Sequence, residues 1–295
     1  MCGIAGFVKQ DQNSTIQSHR LVTLLKGLET RGQDATGFAY FTNKNYVIKG
    51  NYTASKFLKK REVKRQLVEA GKARWALFHT RAATNGTAAN NRNNHPIWSK
   101  EGLIIHNGII WTSEKLQKQG DTDTEELLLL MEKFGKLEGI KKVSGWLSIA
   151  YHPFSEPNVI YLYHSCSLAP LWWAFDNGIL FFASTKEILL GAFPVKVVQE
   201  VPKGILYKVE YGKVTEVGKA EPKLCYVYSM QDDDWDVWLR DSKTSDWKKW
   251  QDWRRRSRKK PVKWKGLIKD LIKPDKLIYG QSGKVYPLTR LETEV

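Results

Sequence analysis

Cysteine is scarce: the 295 residues hold three, an odd number that rules out a fully paired disulfide framework and favours a reducing compartment. Long apolar runs are missing as well. No uninterrupted apolar stretch approaches the ~20 residues needed to cross a bilayer. The start, Met1-Cys2-Gly3-Ile4-Ala5-Gly6-Phe7-Val8, has neither the basic region nor the long apolar region of a secretory signal. Membrane and secretory readings therefore drop out, and a cytoplasmic setting is expected. There is also no internal repeat and no long low-complexity run, which excludes a solenoid or a wholly disordered polymer.

What is present is enough apolar residue, 42%, for a sizeable core, and an excess of 47 Lys plus Arg over 31 Asp plus Glu, a net charge of +16. Such a charge fits nucleic acid, acidic partners or solubility alone. It is unevenly placed. Residues 1–225 carry 30 basic and 20 acidic residues, residues 226–295 carry 17 and 11, and the stretch 247–265 has ten basic residues against one acid. That stretch also holds Trp247, Trp250, Trp253 and Trp264. A domain edge is accordingly placed at 225, giving segments 2–225 and 226–295.

The first segment alternates strand-like and helix-like patterns. Ile4–Val8, Phe38–Phe41, Tyr46–Ile48, Trp75–Thr80, Leu103–His106, Trp146–Tyr151, Val159–His164, Ile179–Ala183 and Ile205–Val209 read as strands. Asn43-Lys44-Asn45 reads as a hairpin loop. Ser18–Glu29 and Thr124–Leu137 carry leucines at helical spacing. Many close strands with few helices between them predict antiparallel sheets covered by helices, an α+β fold.

Five blocks could carry chemistry. Cys2 becomes the N-terminal residue if an aminopeptidase removes Met1. It would then join a thiol nucleophile, pKa about 8.5, to an α-amine of about 8 able to take its proton. Thr30–Gly37, with Arg31 and Asp34 around Gly32-Gln33, reads equally as a loop tied by a local ion pair. In His79-Thr80-Arg81, a strand runs into the polar loop that ends at Gly86, and Arg81 could clamp a carboxylate in bidentate fashion. Asn107-Gly108 ends an apolar strand and offers two N–H donors for an oxyanion, or makes an ordinary turn. Asp121–Glu125 caps a helix.

Taken in order, these blocks resemble the class II glutamine amidotransferase domain of the N-terminal-nucleophile hydrolases. The resemblance rests on Cys2-Gly3-Ile4-Ala5-Gly6, Arg31 to Gly37, His79-Thr80-Arg81, Asn94-His95-Pro96, His106-Asn107-Gly108 and Asp123-Thr124-Glu125, with Ser144–Ala150 and Ser184–Glu187 further on. It covers about residues 2–210. It implies a four-layer αββα sandwich of two antiparallel sheets flanked by helices. It also implies hydrolysis of the L-glutamine side-chain amide through a thioester on Cys2, with Asn107 and Gly108 as oxyanion donors. Arg81 would grip the substrate α-carboxylate and Asp123 its α-ammonium. Arg31 would support the loop around the nucleophile, and Thr84 and Gly86 would belong to the substrate-covering loop. Two positions depart from the usual pattern, Ala82 after Arg81 and Asn85 where some branches carry His.

No cofactor is implied, and no metal, since the spacings of His79, His95 and His106 match no standard ligand pattern. These histidines are expected to be structural, and Cys166 and Cys225 to be core residues. Family members usually carry a second domain that uses the ammonia. The last 70 residues show no Gly-rich phosphate loop and no Ser-Gly-Gly-x-Asp-Ser, so a separate acceptor enzyme is the expected partner. A short chain of this kind fits a bacterial or phage source. The extension has three readings: an amphipathic helix docked on the catalytic domain, a protein-binding segment, or a nucleic-acid surface. In the last, Trp250 and Trp253 would stack on bases while Arg254, Arg255, Arg256, Arg258, Lys259 and Lys260 meet phosphates. The alternative function follows from it: a binding module that keeps the fold while the tail does the work.

Overall fold

Successive side chains of a strand point to opposite faces, and those faces define the layers. The computed structural model describes residues 1–222 and the backbone of residues 289–294. Its strands are β1 (Gly3–Lys9), β2 (Ala35–Phe41), β3 (Lys44–Gly50), β4 (Trp75–Arg81), β5 (Ile97–Trp98), β6 (Gly102–Trp111) and β7 (Ser144–Pro153). They continue with β8 (Val159–His164), β9 (Trp172–Asp176), β10 (Ile179–Ala183), β11 (Gln199–Glu200), β12 (Ile205–Glu210), β13 (Lys213–Lys219) and β14 (Thr289–Glu294). The helices are α1 (Ser18–Glu29), α2 (Ala54–Phe57), α3 (Arg61–Lys72), α4 (Asp123–Phe134), α5 (Lys136–Lys141) and α6 (Lys186–Ala192).

One sheet runs β11-β9-β10-β1-β4-β2-β3-β14 and the other β13-β12-β8-β7-β6-β5, with every pairing antiparallel. Alternate residues of each central strand enter different cores. Ala5 and Phe7 of β1, Phe38 and Tyr40 of β2 and Ala76 and Phe78 of β4 pack with Leu21, Leu24, Leu25 and Leu28 of α1, and with Phe57, Val63, Leu67 and Leu189. Their neighbours Ile4, Val8, Ala39, Trp75 and Leu77 face Leu103, Ile105, Ala150 and Leu162 of the opposite sheet. Beyond that sheet, Ile104, Leu147 and Ile149 meet Leu127, Leu128, Met131 and Ile140 of α4 and α5. Three apolar cores separate four layers, so the fold is an α+β αββα sandwich. Each fully buried large apolar side chain contributes about 1.5–3 kcal/mol over its exposed state. Because both faces of the first sheet are covered, β1, β2 and β4 are buried at every residue.

Four sequence readings change. The β2–β3 loop is Thr42-Asn43, and Lys44 and Asn45 already belong to β3. The helix expected over Thr124–Leu137 is two helices, parted at Gly135, whose φ of +90° suits glycine. Asn107-Gly108 is no strand end or turn, because β6 continues to Trp111. Cys166 is half-buried in the loop after β8, not a core residue. The second segment's expected elements, Cys225 and all the Trp, Arg and Lys residues of 247–265 lie outside the described residues. The strand β14 falls past position 225 and pairs along β3, with Thr289 opposite Lys49. Among the described residues no helix is long and apolar enough to cross a membrane.

Candidate active site

Register brings the sequence-distant blocks together. Gly3 pairs with Thr80 across β1 and β4, so Cys2 lies where β4 gives way to the loop after Arg81. Its Sγ donates to the Ala82 carbonyl at 3.5 Å. Arg31, just past α1, donates through Nε to the Cys2 carbonyl at 2.9 Å. Asp34 reaches across instead of pairing locally: its Oδ2 accepts from the Ala83 amide at 2.8 Å. The start of β1 is pinned from the other side by Ser184, whose Oγ accepts from the Ile4 amide at 2.9 Å.

Cys2, Arg81, Ala82, Thr84, Asn85, His95, His106, Gly108 and Thr122–Thr124 line one small cleft. Arg81 is buried, and its guanidinium donates to Asn94 Oδ1 at 3.1 Å, to the Gly86 carbonyl at 3.0 Å and to the Asn85 carbonyl. Asp123 opens α4, whose cap Thr122 accepts from the Glu125 amide. One carboxylate oxygen of Asp123 accepts from the Ile110 amide of β6 at 3.1 Å, which ties the helix start to the strand bearing Asn107. Asn107 is buried, and its Nδ2 has no hydrogen-bond partner among the described residues. Such an orphan donor is costly unless something arrives to accept from it.

Gly108 lies opposite Leu147, which spends its amide on Ser165 Oγ at 2.8 Å and its carbonyl on the Ser165 amide at 2.9 Å. The ladder is thus not closed at Gly108, and β5 pairs with β6 only at Leu103 and Ile104. Gly108 has a φ of +147°, and a Cβ there would sit 2.0 Å from the Trp146 carbonyl oxygen, so no other residue fits.

Electrostatics separate the groups. Burial pushes the Cys2 thiol up, and the terminal ammonium, the Ala82 hydrogen bond and Arg81 pull it back. His79, His95 and His106 are all lowered, chiefly by burial, His79 to about 3. They are neutral at pH 7 and bond within the protein. His79 Nε2 donates to the His106 carbonyl at 3.1 Å and its ring stacks on His95 with centroids 3.9 Å apart. Behind them the buried Lys49 of β3 donates to the Asn94 and Pro96 carbonyls and lies over the Trp98 ring. Among the described residues no group of three or more His, Cys, Asp or Glu is placed to hold a metal.

Comparisons with known proteins give relatives in sequence and in fold. No protein-family model matches the chain. It is 35% identical over 156 residues to a glutamine–fructose-6-phosphate aminotransferase of Buchnera aphidicola, covering 48% of this chain and 24% of the relative. It is 30% identical over 202 residues to the enzyme of that name from Rhizobium meliloti, covering 62% and 31%. The fold is similar to that of glutamine phosphoribosylpyrophosphate amidotransferase from B. subtilis, at TM-score 0.59 and 17% identity, over 73% of this chain and 48% of the other. The described residues thus resemble part of these aminotransferases in sequence and share a fold with the phosphoribosylpyrophosphate amidotransferase. The chain spans about a quarter to a third of the length of these two curated relatives.

Among the described residues, Cys2, Arg81, Thr84, Gly108 and Asp123 share the cleft. Arg31 and Gly86 touch it at one remove, Arg31 through the Cys2 carbonyl and Gly86 through the Arg81 guanidinium. Sequence reasoning missed Lys49, which carries no signal distinguishing it from a surface lysine. It also took Thr124 as helix capping alone, and it left Asn94 without a role although the Asn94-His95-Pro96 triplet had been noticed.

Proposed function

We propose that the described residues form a class II glutamine amidotransferase domain, that it hydrolyses the side-chain amide of L-glutamine through a thioester on Cys2, and that a separate partner uses the ammonia. The observation that carries the reading is the shared cleft of a thiol, a guanidinium and a carboxylate, lined also by Gly108. Met1 is exposed, and its removal leaves the Cys2 amine next to its own thiol.

In this mechanism the amine takes the thiol proton, and Sγ attacks the amide carbon. The oxyanion is held by Asn107 Nδ2 and the Gly108 amide. The amine then returns the proton to the leaving nitrogen, the C–N bond breaks, and ammonia departs. Water adds to the thioester, glutamate leaves, and the thiol is restored. Arg81 donates three hydrogen bonds within the protein. A guanidinium has five N–H groups, so one on Nε and one on Nη1 remain, either of which can meet an α-carboxylate oxygen. The second oxygen of Asp123 is left for the α-ammonium. The pair selects an amino acid over a plain amide.

Mass spectrometry of the purified chain is expected to find Met1 removed, glutamate released from glutamine, and a γ-glutamyl adduct on Cys2 after acid quenching. Cys2→Ala is expected to lower release by at least about 10⁴-fold, as loss of a nucleophile does elsewhere. Glutamate release untouched by Cys2→Ala would refute the mechanism.

A further inference from the structure

A single hydroxyl connects the segments that bear the site. Thr124 Oγ1 lies 3.0 Å from His95 Nε2 and 2.9 Å from His106 Nδ1. All three residues are buried. Through His106 the link extends to His79, which bonds the His106 carbonyl and stacks on His95. Three of the four, His79, His106 and Thr124, are next to, or two residues from, a residue assigned to substrate or oxyanion, and His95 is next to a partner of Arg81. His79 precedes Arg81 on β4, His106 precedes Asn107 on β6, and Thr124 follows Asp123 on α4. His95 follows Asn94, which accepts from Arg81.

We propose that Thr124 is a positioning residue, whose hydroxyl joins His95 and His106 and so fixes Arg81, Asn107 and Asp123 against one another. Helix capping does not require this, because the cap of α4 is made by Thr122. The proton count adds a constraint. A hydroxyl has one proton and two lone pairs, and no acceptor other than the two rings is shown for Thr124 Oγ1 among the described residues, so it donates to one imidazole and accepts from the other. If Thr124 donates to His95 Nε2, His95 carries its proton on Nδ1, and so does His106, which must donate from Nδ1. If Thr124 donates to His106 Nδ1, both rings carry the proton on Nε2. Either way the two neutral rings share one tautomer. The far nitrogens, His95 Nδ1 and His106 Nε2, have no partner among the described residues, so nothing else shown on these rings sets their tautomers.

The role in catalysis rests on the glutaminase reading, but the tautomer does not, and the test separates them. Ring nitrogens of the full chain are assigned by NMR at pH 7 in the wild type, Thr124→Val and Thr124→Ser, and glutamate release is measured alongside. The wild type and Thr124→Ser are expected to show one tautomer shared by His95 and His106, and Thr124→Val a mixture. The ratio kcat/KM should fall about 10²-fold in Thr124→Val, the scale of a misplacement of about 1 Å, and recover to within about fivefold of wild type in Thr124→Ser. Alkylation of Cys2 by iodoacetamide, which needs no substrate site, should keep its rate in all three. Opposite tautomers in the wild type overturn the proposal. So does kcat/KM within about threefold of wild type in Thr124→Val, equal loss in both variants, or a parallel loss of alkylation. Should Thr124→Val not fold, the wild-type tautomers decide alone. If the wild type releases no glutamate, the functional reading fails while the tautomers still test the network.

Discussion

Strand β4 is buried from Trp75 to Arg81, and its two ends are held in different ways. At the first end Trp75 packs between the sheets against Phe41 and His152, and its one polar atom donates to the Pro157 carbonyl at 2.9 Å. At the second end a guanidinium is buried almost as fully, and it is held by carbonyl oxygens from the loop beyond it. The first end relies mainly on shape and area, with one buried histidine, His152, beside the indole. The second end holds a buried charge, and an unmet buried charge costs far more than a lost contact. That demand fits the buried network of histidines, Thr124, Asn94 and Lys49 around the cleft, where the opposite end is mostly apolar.

The comparison can be broken most severely at Trp75. Trp75→Ala should cost about 3–5 kcal/mol of stability, read from denaturant unfolding. KM for glutamine should not change once rates are normalised to folded protein. A change in KM would mean that the two ends are coupled. At the polar end Asn107→Ala should do the reverse. Glutamate release should fall about 10²–10³-fold in kcat, the usual loss for one oxyanion donor, with the unfolding midpoint little moved or raised, since an orphan donor is removed. An unchanged kcat would remove Asn107 from the chemistry.

Acid tests both ends together. His79, near the cleft, has its pKa lowered to about 3, and His152, beside Trp75, to about 4, both chiefly by burial. The unfolded chain therefore binds these protons first, near the free value of about 6.5. Stability from each ring is complete above that value and is lost as pH falls toward the folded pKa. Between pH 7 and pH 5 the loss should be about 2 kcal/mol per histidine. His152→Leu should remove one such share and leave that of His79. Acid sensitivity identical to wild type would show that the apolar end holds its histidine at no cost.

The smallest contrast lies in two helix caps. Thr122 accepts from Glu125 at the start of α4, and Thr185 from Ile188 at the start of α6. Replacing either by Ala should cost about 1 kcal/mol. Only Thr122→Ala, beside Asp123, should also raise KM for glutamine. Equal kinetics in both variants would detach the α4 cap from substrate binding.

Much of this was legible in the chain itself. Val159–His164 and Ile179–Ala183 are dense in apolar and aromatic residues, and the structure returns both strands with those bounds. Ser18–Glu29 is legible because its four leucines recur at helical spacing and all are buried. By contrast, β13 was not, since Lys213–Lys219 is mostly exposed at a sheet edge and carries little apolar pattern. The apolar run of α4 continues to Leu137, so only the backbone reveals the break at Gly135. At the site, Cys2, Arg81, Asn107 and Asp123 could be named from ordered motifs. Thr124 and Lys49 could not be given their roles, because a hydroxyl or an ammonium acquires its meaning from whichever chain segment folds against it.

Local pattern and residue type determined which strands and helices form, which faces they bury, and which side chains could act as nucleophile, clamp or donor. Only the tertiary structure decided that Gly3 lies opposite Thr80 and that Asp123 bonds the Ile110 amide. It also decided that two imidazoles meet at one hydroxyl rather than at solvent. Those outcomes depend on strand register and on the packing of four layers. Both are set by the sum of many weak apolar contacts across the whole domain, and no short stretch of residues encodes them.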